Sequence, residues 1–391
     1  MTSRRALTPD RRVAASRGFT LDGRAWSRHI AGGADSVITF DATTKRVICD
    51  GALVGDDIFE VLGEEVAEDP AATWVGYLGY ACRPDLQARP ALGLPDAIWL
   101  RTDGLASTRD GSAATGDGAT ATIDGSAEYA TTFMEVQRRL RAGDSYEVNL
   151  TRRVELIGDA DPDEVYANLR AINPAPYAAH LWHDGAHVLS ASPESFVSIS
   201  NGRIRTRPIK GTTPRGPDPQ SDKANRERLA NDPRYRAENL MITDLMRNDL
   251  SQVCVPGSVK VPELMQVESY AAVHQLVSTI EGDLAHGVGV TDAIRALFPA
   301  GSMTGAPKRR TMEIIDEVED TPRGVYSGAL GWISGDSCEL SVIIRSLIRD
   351  PQHRWHAGTG GGITVHSDAA SEWQESEWKL NRLIAALQPL P

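Results

Sequence analysis

The chain has 391 residues, 41% apolar and 24% charged, the composition of a soluble globular protein with room for one large domain or two ordinary ones. A formal net charge of -12 speaks against nucleic acid as a partner, since phosphate binding needs a basic surface, and no apolar run approaches the ~18 residues of a membrane span. Cys49, Cys82, Cys254 and Cys338 are scattered without Cys-x-x-Cys spacing, so neither a disulfide framework nor a zinc site is expected, and a reducing cytoplasm fits this usage.

Residues 1–19 carry arginines without an apolar stretch and are expected to form a loose tail rather than a secretory signal. Residues 20–126 are expected as an N-terminal sub-domain of short strands, at 36–40, 46–49 and 73–80. Between Asp103 and Ser126 the composition turns to Gly, Ala, Ser, Thr and Asp. That marks a solvated connection or a pair of weak edge strands, and the boundary is set there. Residues 127–391 form the second unit, opening with an amphipathic helix over 127–142 that Gly143-Asp144 ends. A strand over 146–150, a helix over 163–171 and a strand over 186–190 follow.

Phe196-Val197-Ser198-Ile199-Ser200 alternates as a strand does, and Asn201-Gly202 is a strong two-residue hairpin signal because both residues tolerate positive φ. With Ser200 opposite Arg203, the return strand brings Lys210 level with Pro193 and so beside Glu194. An amine and a carboxyl group meeting at a strand end read either as an edge salt bridge or as the start of chemistry. Arg203, Arg205, Arg207 and Arg215 concentrate positive charge around Lys210 in an otherwise acidic chain.

One or two helices are expected over 223–248, broken near Pro233. At helical spacing Glu238 shares a face with Met241, Ile242 and Leu245, and a buried carboxylate must be ion-paired, protonated or bound to a metal. Strands over 258–266 and 273–280 and a helix over 291–298 come next. Residues 301–308 lack the spacing and the hydroxyl residue of a phosphate-binding loop, and Pro307 opens a helix over 308–318. Residues 325–334 and 338–349 are expected as an antiparallel pair. Gly360-Gly361-Gly362 either brings backbone N–H groups close to an anion or makes a strained turn. In the last helix, 371–387, Glu372, Glu375 and Lys379 form a charged row at the edge of the apolar face. Glu238 and Glu375, on two helices, together offer the oxygen ligands that suit Mg²⁺.

Six motifs now stand in one order: Ser192-Pro193-Glu194-Ser195-Phe196, Pro208-Ile209-Lys210-Gly211-Thr212, the run from Ala237-Glu238-Asn239-Leu240-Met241 to Arg247-Asn248-Asp249, Val273-His274-Gln275-Leu276, Gly305-Ala306-Pro307-Lys308, and Gly360-Gly361-Gly362-Ile363. Over residues 128–388, about two thirds of the chain, this set resembles the chorismate-utilising enzymes. The lysine of Pro-Ile-Lys-Gly-Thr resembles the branch that aminates chorismate at C4, whereas anthranilate- and salicylate-forming members carry alanine there.

The resemblance implies an α+β fold of two packed antiparallel β-sheets surrounded by helices, with the site between them. It implies chorismate and ammonia as substrates, 4-amino-4-deoxychorismate as product for folate precursor synthesis, and Mg²⁺ held by Glu238 and Glu375. Glu372 and Lys379 would support the ring carboxylate, while Arg345, Tyr326 and N–H groups near Gly360 and Gly361 would hold the enolpyruvyl carboxylate. Thr212 is implied in substrate binding, and His274 and Thr304 in lining the ring pocket. Glu194 is implied as the acid that protonates the departing hydroxyl, a role worth ~10²–10⁴-fold. Lys210 is implied as the nucleophile at C2, which requires a partly neutral amine, promoted by burial, the arginines and Mg²⁺. Glu147 stands where water-using members carry a lysine base, which argues against hydrolytic chemistry. With no Gly-x-Cys-x-Gly elbow in the chain, a separate glutamine amidotransferase subunit is expected to supply ammonia. The alternatives are an anthranilate-forming lyase that releases pyruvate and a non-catalytic chorismate-binding subunit.

Overall fold

The computed structural model describes residues 16–91, 93–102, 125–156 and 158–388. The 103–124 stretch expected to mark a boundary, and most of the expected tail, lie outside the described residues.

Two antiparallel sheets make the frame. One carries, side by side, Gly305–Ala306, Glu147–Leu156, Trp355–Ile363, Ser346–Arg349, Ala186–Ser192, Tyr177–His183, Arg17–Leu21 and Ile30–Gly33. The other runs from Ile209–Pro214 through Val273–Asp283, Arg203–Arg207, Ser195–Ser200, Ser337–Val342, Ala329–Ser334, Thr73–Leu78, Ala97–Thr102, Ser36–Asp41 and Arg46–Cys49 to Ala52–Gly55. Lys260–Ser269 also pairs with Val273–Asp283. The N-terminal strands complete both sheets: Arg17–Leu21 pairs with Tyr177–His183, and Thr73–Leu78 with Ala329–Ser334.

The sheets face each other across Phe19, Leu181 and Val188 on one side and Val75, Leu100 and Trp332 on the other. Helices cover the outer faces, as a sheet buried on one face requires of its second. Ile58–Glu68, Pro233–Ser251 and Val290–Leu297 pack on the larger sheet, and Pro162–Ile172 and Ala369–Ala386 on the smaller. Ser126–Arg141 presents Tyr129, Phe133, Val136 and Leu140 at helical spacing to the core around Val148 and Ile363. Among the described residues no helix is long and apolar enough to cross a membrane, and no cysteine forms a disulfide.

Two local features shape the site. As expected, the 223–248 region breaks near Pro233, into two helices, Pro219–Asn231 and Pro233–Ser251, because Asp232 caps the second and Pro233 occupies its first turn. The run 338–349 is not one strand. It divides into Ser337–Val342 in the larger sheet and Ser346–Arg349 in the smaller, and Arg345 between them has φ +53°. A non-glycine residue rarely takes that conformation, and here it marks the point where the chain passes between sheets.

Candidate active site

A cavity of about 450 Å³ opens where Ile209–Pro214, the glycine-rich end of Trp355–Ile363, and the helices Pro233–Ser251 and Ala369–Ala386 converge. Lys210 reaches it through a β-bulge. The ladder between Ile209–Pro214 and Val273–Asp283 shifts register between Ile209 and Thr212, and Gly211 within the shift has φ +93°. A bulge re-aims a side chain, and glycine takes this φ without the steric cost of a Cβ. Another irregularity, between Ser195 and Val197, adjoins Glu194. Ser200 does pair with Arg203 across the Asn201-Gly202 turn, but Lys210 does not return level with Pro193. Pro208 ends that strand, and 209–214 pairs with Val273–Asp283 instead. Lys210 and Glu194 meet as walls of one cavity.

The Lys210 ammonium is buried and ion-paired with Glu147, itself fully buried. Gly362 lies opposite this pair, and a Cβ there would overlap Glu147 Oε1 and lie 2.9 Å from Lys210 Nζ, so any side chain would displace the pair. Burial alone would lower the lysine's pKa, but Glu147, and then Glu238, more than offset it, so the net direction is upward. This corrects the expectation of an amine depressed by its surroundings. The arginines invoked for that effect are committed elsewhere: Arg203 and Arg205 to Glu281, Arg207 to Glu268, and Arg215 to Asp222. Glu194 behaves as expected of an acid. Burial pushes its carboxyl up to about 7, against the Ser302 hydroxyl, the Lys210 charge and the Ile209 N–H, which favour the anion.

Glu238 is buried on its helix, and its ion-pair reading is the one seen. Arg234, one turn earlier, donates from Nε to Glu238 at 3.0 Å and from a terminal nitrogen to Glu372 on the last helix. Glu375 lies further out and accepts from Lys379 at 2.8 Å, and Lys379 also donates to the Gly360 carbonyl at 2.7 Å. Among the described residues, no three acidic, histidine or cysteine side chains gather closely enough to hold a metal by themselves. Even so, three carboxylates from two helices line one cavity, and two of them already share a cation. That donor chemistry fits a hard dication completed by water and a substrate carboxylate.

Arg345 reaches the cavity from the sheet crossing. Its guanidinium is held at about 10 by burial and by the like charge of Arg382, lies 5.1 Å over the Trp378 ring, and makes no ion pair among the described residues. It is therefore a cation available to an anion. Tyr326, whose ring fills the space a Gly358 Cβ would need, lines the same wall, as do Thr212, Gly360 and Gly361. The three glycines form neither a turn nor a loop but a strand, paired residue by residue with Asn149–Thr151. The neighbouring strand Ser346–Arg349 reaches only to Ala357, so the other edge of Gly358–Gly362 is open.

His274 and Thr304 are not brought to the cavity. His274 turns its ring to Ser269 at 2.8 Å and Asp222 at 3.1 Å, while Val273 and Gln275 on either side line the wall. Thr304 bonds back to the Gly301 carbonyl at 3.2 Å, and its neighbours Ser302 and Met303 take the lining positions. No role was assigned to Arg234 or Arg323, and no partner to Glu147. The spacing of Arg234 to Glu238 was an available signal; nothing local marked Arg323. Arg323 is fully buried against Glu319 and donates to the Asn149 carbonyl at 2.6 Å and to Met303, tying two lining segments together.

A fold of this architecture with these motifs around one cavity defines a family. The model for the chorismate binding enzyme matches residues 105–385, and the chain belongs to that family. It is 48% identical over 263 residues to aminodeoxychorismate synthase component 1 of Salmonella typhimurium, covering 67% of this chain and 58% of that protein. It is also 48% identical over 262 residues to aminodeoxychorismate synthase of Streptomyces pristinaespiralis, covering 66% of this chain and 36% of that protein. The chain thus spans only a little over half the length of the first of these, and about a third of the second. Anthranilate synthase component I from Streptococcus pneumoniae superposes with a TM-score of 0.77 at 24% identity, over 98% of this chain and 95% of that one, which identifies the fold.

Proposed function

We propose that this chain is the chorismate-aminating component of an aminodeoxychorismate synthase, converting chorismate and ammonia into 4-amino-4-deoxychorismate and water. One observation carries the reading. The buried amine of Lys210 shares a cavity with Glu194, a carboxyl group that burial keeps protonated up to about pH 7. The identity to the Salmonella and Streptomyces synthases supports it.

In this mechanism Arg345 and Tyr326 hold the enolpyruvyl carboxylate, with the open edge at Gly360 beside them. Glu238 and Glu375 would hold Mg²⁺, which would anchor and neutralise the ring carboxylate. Glu147 accepts the proton that the Lys210 ammonium must lose. The free amine bonds to C2, the ring double bonds shift, and the C4–O bond breaks as Glu194 protonates the oxygen, which leaves as water. Ammonia then bonds to C4, the double bonds shift back, and the C2–N bond breaks to release the Lys210 amine, to which Glu147 returns its proton. The proton that ammonia sheds restores Glu194. Two easier displacements replace one hard one.

The Salmonella relative's designation as component 1 supports a second component, and a glutamine amidotransferase in the cytoplasm is the proposed ammonia source. Incubation with chorismate, Mg²⁺ and ammonium, followed by mass spectrometry, tests the reading. The expected product is 4-amino-4-deoxychorismate without pyruvate. Pyruvate release with anthranilate would replace the reading with the lyase alternative, and binding without turnover would replace it with a non-catalytic subunit.

A further inference from the structure

Glu238 and Glu372 are buried carboxylates on two different helices. Burial raises the pKa of both, and Arg234 opposes it in each case. Two such groups facing one cavity are costly unless a cation sits between them. Arg234 is that cation, donating from two nitrogens of one guanidinium to the two carboxylates. Its own side chain is partly exposed at 37%, whereas its partners are at 8% and 4%, so the arginine can withdraw toward solvent while the carboxylates cannot. A dication bound to Glu238 would have to take a carboxylate that Arg234 now holds.

We infer that Arg234 is a positioning residue that stands in for the metal in the substrate-free protein, holding Glu238 and Glu372 together and yielding Glu238 when the dication enters. The inference rests on the proposed Mg²⁺ site. Its consequence is that Arg234 weakens metal binding to the free protein. The dication therefore enters readily only with a substrate that brings its own carboxylates, and Arg234 sets the order of binding.

The test is calorimetric titration of MgCl₂ into the full-length, substrate-free protein, with Mn²⁺ binding followed by electron paramagnetic resonance as a second probe. Parent, Arg234→Met, Arg234→Lys and Glu238→Gln are compared. Removing a positive charge in contact with a ligand carboxylate should tighten metal binding about tenfold or more in Arg234→Met, and less in Arg234→Lys, which keeps the charge. Arg234→Met should also melt lower than the parent in chelator and recover more on adding Mg²⁺. A purely structural arginine would instead give equal or weaker metal affinity in Arg234→Met, and that result overturns the inference while Glu238→Gln still lowers the parent's affinity. If Glu238→Gln leaves metal affinity unchanged, the proposed metal site itself fails, and the inference with it.

Discussion

Replacing Gly362 with alanine probes the buried pair at the centre of the site with a single methyl group. A Cβ at 362 would overlap Glu147 Oε1 and come within 2.9 Å of Lys210 Nζ, so the buried pair must shift, the amine toward the cavity it lines. Two costs add. Overpacking a well-filled site costs about 1–3 kcal/mol. Displacing the amine by ~1 Å from its aligned position costs about 100-fold in rate. Urea unfolding should therefore register a loss of about 2 kcal/mol, and kcat for amination should fall about 100-fold with KM for chorismate changed far less. The methyl group meets Lys210 and Glu147 rather than Arg345, which explains the split. A variant within about 0.5 kcal/mol of the parent and within twofold of its kcat would refute this packing of strand, amine and carboxylate.

Other consequences are testable in the same assays. Lys210→Ala should abolish amination while leaving chorismate binding largely intact, and it should destabilise the fold by about 3–5 kcal/mol because Glu147 is left buried and unpaired. Adding Glu147→Gln to it should restore most of that stability and none of the activity, as urea unfolding and product analysis will reveal. Glu194 must be protonated to act, and its carboxyl titrates at about 7. kcat should therefore fall as pH rises through that value, and the Glu194→Gln profile should be low and without that limb. The same raised pKa makes the folded state bind the proton more tightly, so the Glu194 contribution to stability is largest at low pH and is lost between its ordinary range and about 7. Glu375→Gln should raise the Mg²⁺ concentration needed for half-maximal activity, and unchanged metal dependence would remove Glu375 as a ligand.

Much of this site was legible in the sequence because local geometry wrote it there. Asn201-Gly202 fixed its hairpin, since the turn requires positive φ at both residues, and helical spacing put Glu238 inside. Lys210 was found for the right cavity by the wrong route. The bulge at Lys210-Gly211 depends on pairing with Val273–Asp283, which is distant in the chain, and no local pattern announces it. His274 was misplaced although the information was present. Strand alternation sends it to the face opposite Val273 and Gln275, and those two line the cavity. The division of 338–349 between two sheets was hidden because both halves mix polar and apolar residues as strands do, and only their partners differ. The N-terminal strands at 36–41, 46–49 and 73–78 were expected, but not their place in the two sheets, because Arg17–Leu21 and Thr73–Leu78 find partners far along the chain. Glu147 was singled out only as standing where water-using members carry a lysine, and the fold reveals it as the partner of the amine.

The account stands on a covalent role for Lys210, and the most direct measurement is rapid-quench peptide mapping by mass spectrometry during turnover of chorismate with Mg²⁺ and limiting ammonia. The prediction is an adduct with the mass of chorismate less water on the peptide carrying Lys210, formed and consumed at rates that match turnover and absent from Glu194→Gln. Amination at the parent rate with no modified Lys210 at any quench time would contradict it.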